Sequence, residues 1–181
     1  MLEAFENPRG LPHPNWSQEC FEMLEDNLQL AKELWASDES GFEGKHFAAP
    51  KITNNPPPLS QPHPRIMIGG MGPKKMLRMV AQYADACNFF ESAGTERIQQ
   101  AINTLKGHCE NLNRDYDTIE KTSLGTVHLA DGHDTVDSVQ ERLKKLSGMG
   151  FTHAIFNMPN VYVIYPFDTV AKEIIPLAQE L

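Results

Sequence analysis

The chain has 181 residues, 40% of them hydrophobic and 22% charged, which is typical of one globular domain with a substantial core. Its formal net charge of -8 argues against a surface that attracts nucleic acid or an anionic membrane. No apolar run approaches the roughly 20 residues that span a bilayer, and the acidic N-terminus does not resemble a signal peptide, so we expect a cytoplasmic protein.

The first third of the chain predicts one amphipathic helix and a long proline-rich connection. Residues 1–15 show no periodicity and are predicted to form a loop. Between Phe21 and Trp35 apolar residues recur every three or four positions, which predicts a helix with one buried face. Residues 41–64 contain six prolines. Because proline lacks a backbone donor and fixes φ, we expect an extended connection on the surface, neither helix nor central strand.

From Arg65 onward, short apolar runs alternate with amphipathic helices. The predicted strands are 66–70, 86–90, 122–129 and 154–158. The predicted helices are 73–83, 95–112, one that starts after Thr135 and ends at Gly148, and 167–181. Strands of this kind, alternating with helices, predict a parallel sheet covered by helices. A flavodoxin-like open sheet and part of a (β/α)8 barrel both have this order, and a complete barrel takes about 250 residues.

The most specific local pattern is the turn after the first of these strands, which contains Gly69, Gly70, Met71 and Gly72 and leads directly into a helix. Glycines let backbone N–H groups approach an anion, and a helix N-terminus adds partial positive charge, so phosphate would fit here. A tight turn without a ligand needs the same residues, and the pattern alone leaves both interpretations open. It is neither a Walker loop nor a dinucleotide fingerprint.

Three polar residues, Asn88, His128 and Asn157, lie in or at the ends of predicted strands. Because the carboxyl ends of parallel strands face the ligand in α/β proteins, each is a candidate for lining a pocket. Each is equally a candidate for a buried polar group that the backbone satisfies. No catalytic triad is recognisable. The three cysteines have no metal-ligand spacing, so we expect reduced thiols and no metal site.

Several segments in combination resemble one family. They are Pro64-Arg65-Ile66-Met67-Ile68-Gly69-Gly70-Met71-Gly72, Tyr83-Ala84-Asp85-Ala86-Cys87-Asn88, Phe42-Glu43-Gly44-Lys45-His46-Phe47 after the first helix, and Gly150-Phe151-Thr152-His153 before Ile155-Phe156-Asn157-Met158-Pro159. Together they resemble the bacterial luciferase-like flavin and deazaflavin oxidoreductases, and most of all the branch that uses coenzyme F420. The resemblance covers essentially the whole chain.

The resemblance implies a (β/α)8 barrel of which residues 1–181 form the C-terminal half as a single domain. The chain would supply the fourth helix and barrel strands five to eight, with the connection 41–64 inside the domain. Family members hold the cofactor phosphate on backbone amides after strand five. These amides map here to Gly69, Gly70, Met71 and Gly72, with Met71 where a further glycine is usual. Asn88 would then lie near the cofactor, and His128 and Asn157 would line the substrate pocket.

The activity implied by the resemblance is hydride transfer between coenzyme F420 and a small organic substrate. The family residues that contact the ring and the substrate lie mostly on strands one to four, which this chain lacks, so we expect little or no turnover by the chain alone. An FMN-dependent monooxygenase of the same fold and a non-catalytic half-barrel that self-associates are the alternatives. The partner would be a second copy in a homodimer or a separate N-terminal half.

Overall fold

The computed structural model describes residues 16–36 and 39–181, so the loop predicted for residues 1–15 lies outside the described residues. The chain divides into two compact units, Met1–Pro64 and Arg65–Leu181, each of which has its own internal contacts. A single domain over residues 1–181 stays a prediction.

The first unit contains a long helix and a β-hairpin. Helix α1 spans Trp16–Ala36 and confirms the helix that the apolar periodicity predicted. Strands β1 (Glu39–Glu43) and β2 (Ala48–Thr53) pair antiparallel. This hairpin occupies the first part of the proline-rich segment, and residues 54–64 contain neither helix nor strand.

A buried carboxylate on α1 anchors the turn of this hairpin. Asp26 Oδ2 accepts hydrogen bonds from the backbone N–H groups of His46 (2.6 Å) and Phe47 (3.2 Å). One helical turn earlier, the Glu22 carboxylate contacts Lys45 Nζ at 2.6 Å and His46 Nε2 at 2.9 Å. The backbone hydrogen bond from His46 lowers the pKa of Asp26. Two carboxylates on one face of α1 therefore position the hairpin turn through charge-assisted hydrogen bonds.

The second unit contains a four-stranded parallel sheet. Its strands are β3 (Met67–Gly69), β4 (Ala86–Phe90), β5 (Glu120–Thr126) and β6 (His153–Asn157), and they pair in the order β3-β4-β5-β6. Sequential parallel neighbours are the arrangement of a (β/α)8 barrel. The flavodoxin-like alternative is wrong, because it requires the strand order to reverse within the sheet. The fold is the partial barrel of four βα units that the sequence predicts.

Asp85 aligns the amino ends of three of these strands. Its carboxylate accepts a hydrogen bond from the N–H of Ile66 at 2.7 Å, and its own N–H donates to the Ile66 carbonyl at 2.8 Å. Its carbonyl accepts from the N–H of Glu120 at 2.9 Å. Asp85, the residue before β4, thus fixes where β3 and β5 begin relative to β4.

Helices cover one face of the sheet. They are α2 (Met76–Tyr83), α3 (Thr95–Asn111), α4 (Val136–Gly148), α5 (Ile164–Thr169) and α6 (Ile175–Gln179), with a π-helical turn over Val170–Ile174. Thr135 caps α4 as predicted, because its side chain accepts from the Ser138 N–H and the Ser138 side chain accepts from the Thr135 N–H. Pro176 lies in the first turn of α6, where its missing donor is tolerated.

Three predicted boundaries are wrong by three residues each, and one of them is the start of the C-terminal helical segment, which begins at Ile164 rather than Phe167. Helix α2 begins at Met76 rather than Pro73, because residues 73–75 form a turn in which the Leu77 N–H reaches the carbonyl of Gly72, five residues back. Strand β5 ends at Thr126 rather than residue 129, because the backbone N–H of His128 donates to the side chain of Asp134 instead of a neighbouring strand.

The core lies between the sheet and its helices. Fully buried side chains include Leu77, Val80, Phe89, Leu105 and Val139. Phe89 meets Phe151 edge to face, with ring centroids 5.3 Å apart. The opposite face of the sheet is far less covered, since Met67 is 52% exposed and Phe90 is 41% exposed. Residues on that face are therefore accessible to a ligand or to another chain.

The stability of the first unit should fall in acid. Hydrogen bonds from Lys45, Gln18 and His46 lower the pKa of Glu22 to about 2 from its ordinary value of 4.5. A folded-state pKa below the unfolded value contributes stability above about pH 4.5 that is lost as the pH falls towards 2. Both tryptophans lie in α1, so tryptophan fluorescence during urea unfolding reports this unit. We expect a lower urea midpoint at pH 3 than at pH 7 and a smaller acid loss in Glu22→Gln. An equal acid loss in both proteins would contradict this assignment.

Thiol chemistry should separate the three cysteines. Cys20 is exposed on α1, whereas Cys87 and Cys109 are buried. Burial raises the pKa of Cys87 to about 12 and also raises the pKa of Cys109, so neither forms the reactive thiolate readily. With Ellman's reagent at pH 8, we expect one thiol to react quickly and two only after unfolding. Cys20→Ser should remove the fast phase, and a fast phase that persists in this variant would contradict the buried placement.

Candidate functional site

The carboxyl ends of the four parallel strands lie at one edge of the sheet, and the loops that follow them form the candidate site. β3 leads into the glycine turn at residues 70–75, and β4 leads into a single helical turn, Glu91–Ala93. β5 is followed by residues 127–135, and β6 by residues 158–163. This is the edge at which α/β barrels bind their ligands.

Gly70 gives the glycine turn its shape. Its φ of +121° lies where side chains are strained, and an added Cβ would come within 3.2 Å of Met76 Cγ. Its N–H donates to the carbonyl of Asn88 at 3.1 Å, so this amide completes the sheet and is not available to an anion. The N–H groups of Met71 and Gly72 donate to no acceptor within residues 16–36 and 39–181.

An opening of about 350 Å³ faces this turn. It is lined by Met71, Gly72, Phe90, Ser92, Ala93 and Arg97. Arg97 lies in the first turn of α3 and makes no ion pair or hydrogen bond with the part of the chain that the structure describes. Two backbone donors without acceptors and one guanidinium without an anionic partner therefore border the same space. Such a donor set suits a phosphate or another anionic group.

His108 holds the glycine turn from the direction of α3. Its Nε2 lies 2.7 Å from the carbonyl oxygen of Pro73, and a hydrogen bond at this distance requires the Nε2 atom to carry the proton. In a trans peptide the carbonyl and the following N–H point in opposite directions. The bond therefore also fixes the direction of the Lys74 N–H. His108 was not predicted from the sequence, because Pro73, to which it bonds, lies 35 residues earlier in the chain.

Asn88 lies on the exposed face of the sheet, beside Gly69 in the β3–β4 register. The hydroxyl of Thr122 donates to Asn88 Oδ1 at 2.8 Å, and Thr122 itself is buried. The side-chain oxygen of Asn88 is thereby satisfied. Its Nδ2 group has no partner among the described residues. Asn88 is thus a rigidly held hydrogen-bond donor on the accessible face.

The two other candidates lie apart from Asn88. Asn157 pairs with Thr126 in register, on the same face but about 13 Å further along the strands, since four residues separate Thr126 from Thr122. The His128 ring stacks on the His133 ring, with centroids 3.9 Å apart. Within the described residues, no hydrogen bond or ring contact joins Asn88, His128 and Asn157.

A second opening of about 420 Å³ adjoins the first and shares Phe90 and Ser92 with it. Its further lining residues are Glu91, Leu124, Gly125, Thr126, Arg142 and Asn157. Glu91, Arg97 and Arg142 are not among the site residues predicted from the sequence. Glu91 could have been found from its place directly after a predicted strand, whereas Arg97 and Arg142 lie within helices and carry no local signal.

Neither a metal centre nor a membrane-spanning helix is present in the part of the chain that the structure describes. No group of three or more His, Cys, Asp or Glu side chains there is placed to hold a metal ion. Among residues 16–36 and 39–181, no helix combines the length and the apolar character needed to cross a bilayer.

Solved structures share the fold at low sequence identity. An F420-dependent secondary alcohol dehydrogenase matches with a TM-score of 0.72 and 15% identity, covering 94% of this chain and 64% of its own. A riboflavin lyase solved with modified FMN matches with a TM-score of 0.69 and 9% identity, covering 90% of this chain and 57% of its own. The coenzyme F420-dependent tetrahydromethanopterin reductase of Methanopyrus kandleri matches with a TM-score of 0.52 and 12% identity, covering 88% of this chain and 46% of its own.

The chain therefore spans about three fifths of the length of the first two of these proteins. No curated protein sequence matches it. A family model described as luciferase-like monooxygenase matches residues 15–166, which is most of the chain. With the sequential parallel sheet and the glycine turn after its first strand, this match shows that the chain belongs to the luciferase-like monooxygenase family.

Proposed function

We propose that this chain is the phosphate-binding half of a luciferase-like oxidoreductase that transfers hydride between coenzyme F420 and a small organic substrate. The observation that carries the proposal is the set of unused donors at one opening: the N–H groups of Met71 and Gly72, and the guanidinium of Arg97. Backbone amides and arginine are the donors that proteins use for phosphate. Gly69 and Gly70 shape the turn that presents them.

Two cofactors fit this donor set. FMN and coenzyme F420 both carry a phosphate, and structural neighbours include an F420-dependent dehydrogenase and a riboflavin lyase solved with modified FMN. The segments that resemble the family are, taken together, most similar to the F420 branch, which favours the deazaflavin. FMN remains the second candidate because of the riboflavin lyase, and with it a monooxygenase reaction.

The polar residues on the exposed sheet face have proposed roles beside the cofactor. The Nδ2 group of Asn88, held in place by Thr122, donates a hydrogen bond to the bound cofactor. Asn157 at the second opening and His128 after β5 line the substrate pocket. When bound, the flavin or deazaflavin ring supplies or accepts the hydride, and the residues of this chain bind and orient it.

Turnover is proposed to need more strands than this chain supplies. Within the described residues β3 and β6 each have a neighbour on one side only, and four strands are half of a complete barrel. Unpaired strand edges favour association with other strands. A second copy or a separate N-terminal half would complete the pocket. A self-associating half-barrel without catalysis is the alternative, and it predicts association without cofactor binding.

Removal of the Arg97 charge should weaken cofactor binding through the phosphate. We expect Arg97→Gln to bind FMN and coenzyme F420 roughly tenfold to a hundredfold more weakly, since a charge-assisted hydrogen bond contributes about 1.5–3 kcal/mol. Affinity for riboflavin, which has no phosphate, should change little. Fluorescence titration measures each dissociation constant.

Lys144→Gln is the matched control, because it makes the same charge change on α4, away from the opening. If the unmodified protein binds FMN no more tightly than riboflavin, and F420 no more tightly than its dephosphorylated form, the phosphate site is refuted. Light scattering on the same samples shows whether binding accompanies association. Ordinary steady-state turnover by the monomeric chain would contradict the need for further strands.

Gly70→Ala should destabilise the second unit and impair the same site. A side chain at φ +121° costs about 1–3 kcal/mol, and its Cβ would crowd Met76. Gly72→Ala is the matched comparison, because its Cβ would lie 3.4 Å from Met76 Cβ and its φ is not positive. We expect Gly72→Ala to change stability by less than about 0.5 kcal/mol. Equal urea unfolding curves for the two variants would contradict this description of the turn.

A further inference from the structure

A nearly buried carboxylate, that of Glu91, lies next to Phe90 and Ser92, which line the proposed phosphate site. The side chain of Glu91 is 11% exposed. Its Oε1 accepts a hydrogen bond from the hydroxyl of Ser123 at 3.0 Å, and its Oε2 lies 3.1 Å from Arg142 Nε. The Arg142 contact is an ion pair without a directed hydrogen bond from Nε. Partners of this kind offset the hydration that a carboxylate loses on burial.

Strand β5 provides a slot for this carboxylate. Ser123 and Gly125 are two residues apart and so point to the same, helix-covered face of the strand. A Cβ at position 125 would lie 2.6 Å from Glu91 Oε1. On β4, the residue paired with Ser123 is Phe89, which is large and fully buried on the same face of the sheet. A glycine and a serine on β5 therefore leave the space that Glu91 fills.

Arg142 also contacts the carboxyl-terminal parts of β5 and β6, and the backbone of Glu91 closes its own turn. Arg142 Nη2 donates to the carbonyl of Thr126 at 3.0 Å, and the guanidinium lies 5.1 Å from the centroid of the Phe156 ring. The Glu91 carbonyl accepts from the N–H of Gly94 at 3.0 Å, which closes the turn before α3. The start of the segment that carries Ser92 and Arg97 is therefore held both by the carboxylate and by the backbone carbonyl of Glu91.

We propose that Glu91 is a positioning residue: its carboxylate, held by Ser123 and Arg142 in the slot at Gly125, fixes the turn after β4 so that Ser92 and Arg97 face the glycine turn. This inference rests on the proposed function, because it assigns Glu91 a role in the phosphate site. Glu91 touches no cofactor atom itself and acts through the backbone of its turn.

A positioning role and a purely electrostatic role of Glu91 predict opposite effects of removing its charge. Glu91→Gln keeps the size of the side chain and removes a negative charge near the proposed phosphate. If Glu91 acted only through its charge, the substitution would strengthen phosphate binding. If Glu91 positions the turn, the substitution weakens phosphate binding despite the favourable charge change. A role in stability alone would leave the preference for phosphate unchanged.

The test measures how strongly the protein prefers a phosphorylated cofactor over its phosphate-free form. The probes are FMN with riboflavin, and coenzyme F420 with its dephosphorylated form, titrated at fixed ionic strength. We expect Glu91→Gln and Gly125→Ala to lower the preference roughly tenfold, with less than a twofold change for the phosphate-free form. Glu141→Gln, an exposed carboxylate on α4, is the control and should change neither value.

Each outcome decides between the two claims. If the unmodified protein shows no preference, the proposed function fails and the role of Glu91 fails with it. If the unmodified protein shows the preference and Glu91→Gln keeps or increases it, only the positioning role is overturned. Where Glu91→Gln or Gly125→Ala does not fold by circular dichroism, Ser123→Ala decides instead. It removes one hydrogen bond to Glu91 and should lower the preference about threefold, and an unchanged preference overturns the proposal.

Discussion

The hydrogen bonds of Asp85 align the amino ends of β3, β4 and β5, and the positions of the loops that follow these three strands depend on this alignment. Parallel strands rise by nearly the same distance per residue, so aligned starts bring their carboxyl ends to one level. The Gly70 N–H then makes the last β3–β4 hydrogen bond to Asn88. The chain leaves the sheet at Gly70, and the positive φ of Gly70 directs residues 71–75 into the turn. The candidate site is thus a consequence of strand register.

Helix α2 is held at both ends by polar side chains from the next βα unit. His108 contacts the Pro73 carbonyl before the helix, and Arg114 donates to the carbonyls of Ala81 (3.1 Å) and Ala84 (2.6 Å) at its end. Arg114 thereby satisfies carbonyls that a helix C-terminus leaves without partners. Because the glycine turn is continuous with α2, these contacts also restrain the turn. A binding loop fixed in this way loses little conformational entropy when it takes up an anion.

Local signals in the sequence predicted the order of the elements well. The strand Ala86–Phe90 matches its predicted bounds, because a charged residue lies at each end of the run, Asp85 before it and Glu91 after it. The predicted end of β5 and the predicted start of α2 were wrong. The hydrogen bond from the His128 N–H to the Asp134 side chain and the one from the Leu77 N–H to the Gly72 carbonyl produce no periodic pattern in the sequence.

The same limit applies to the candidate site. The glycine turn is local and was found, whereas Glu91 finds its partners 32 and 51 residues away. The roles of Asn88, His128 and Asn157 stay predictions.

The slot on β5 also constrains how this sequence can vary. The carboxylate of Glu91 occupies the volume that a side chain at position 125 would need, so the two positions cannot both be large. Related proteins that keep an acidic residue after this strand should keep glycine at the matching place on the next one. Where that glycine is replaced, the acid and its arginine should be exchanged together for apolar residues. We therefore expect positions 91, 125 and 142 to vary together among members of the family, although they lie far apart in the chain.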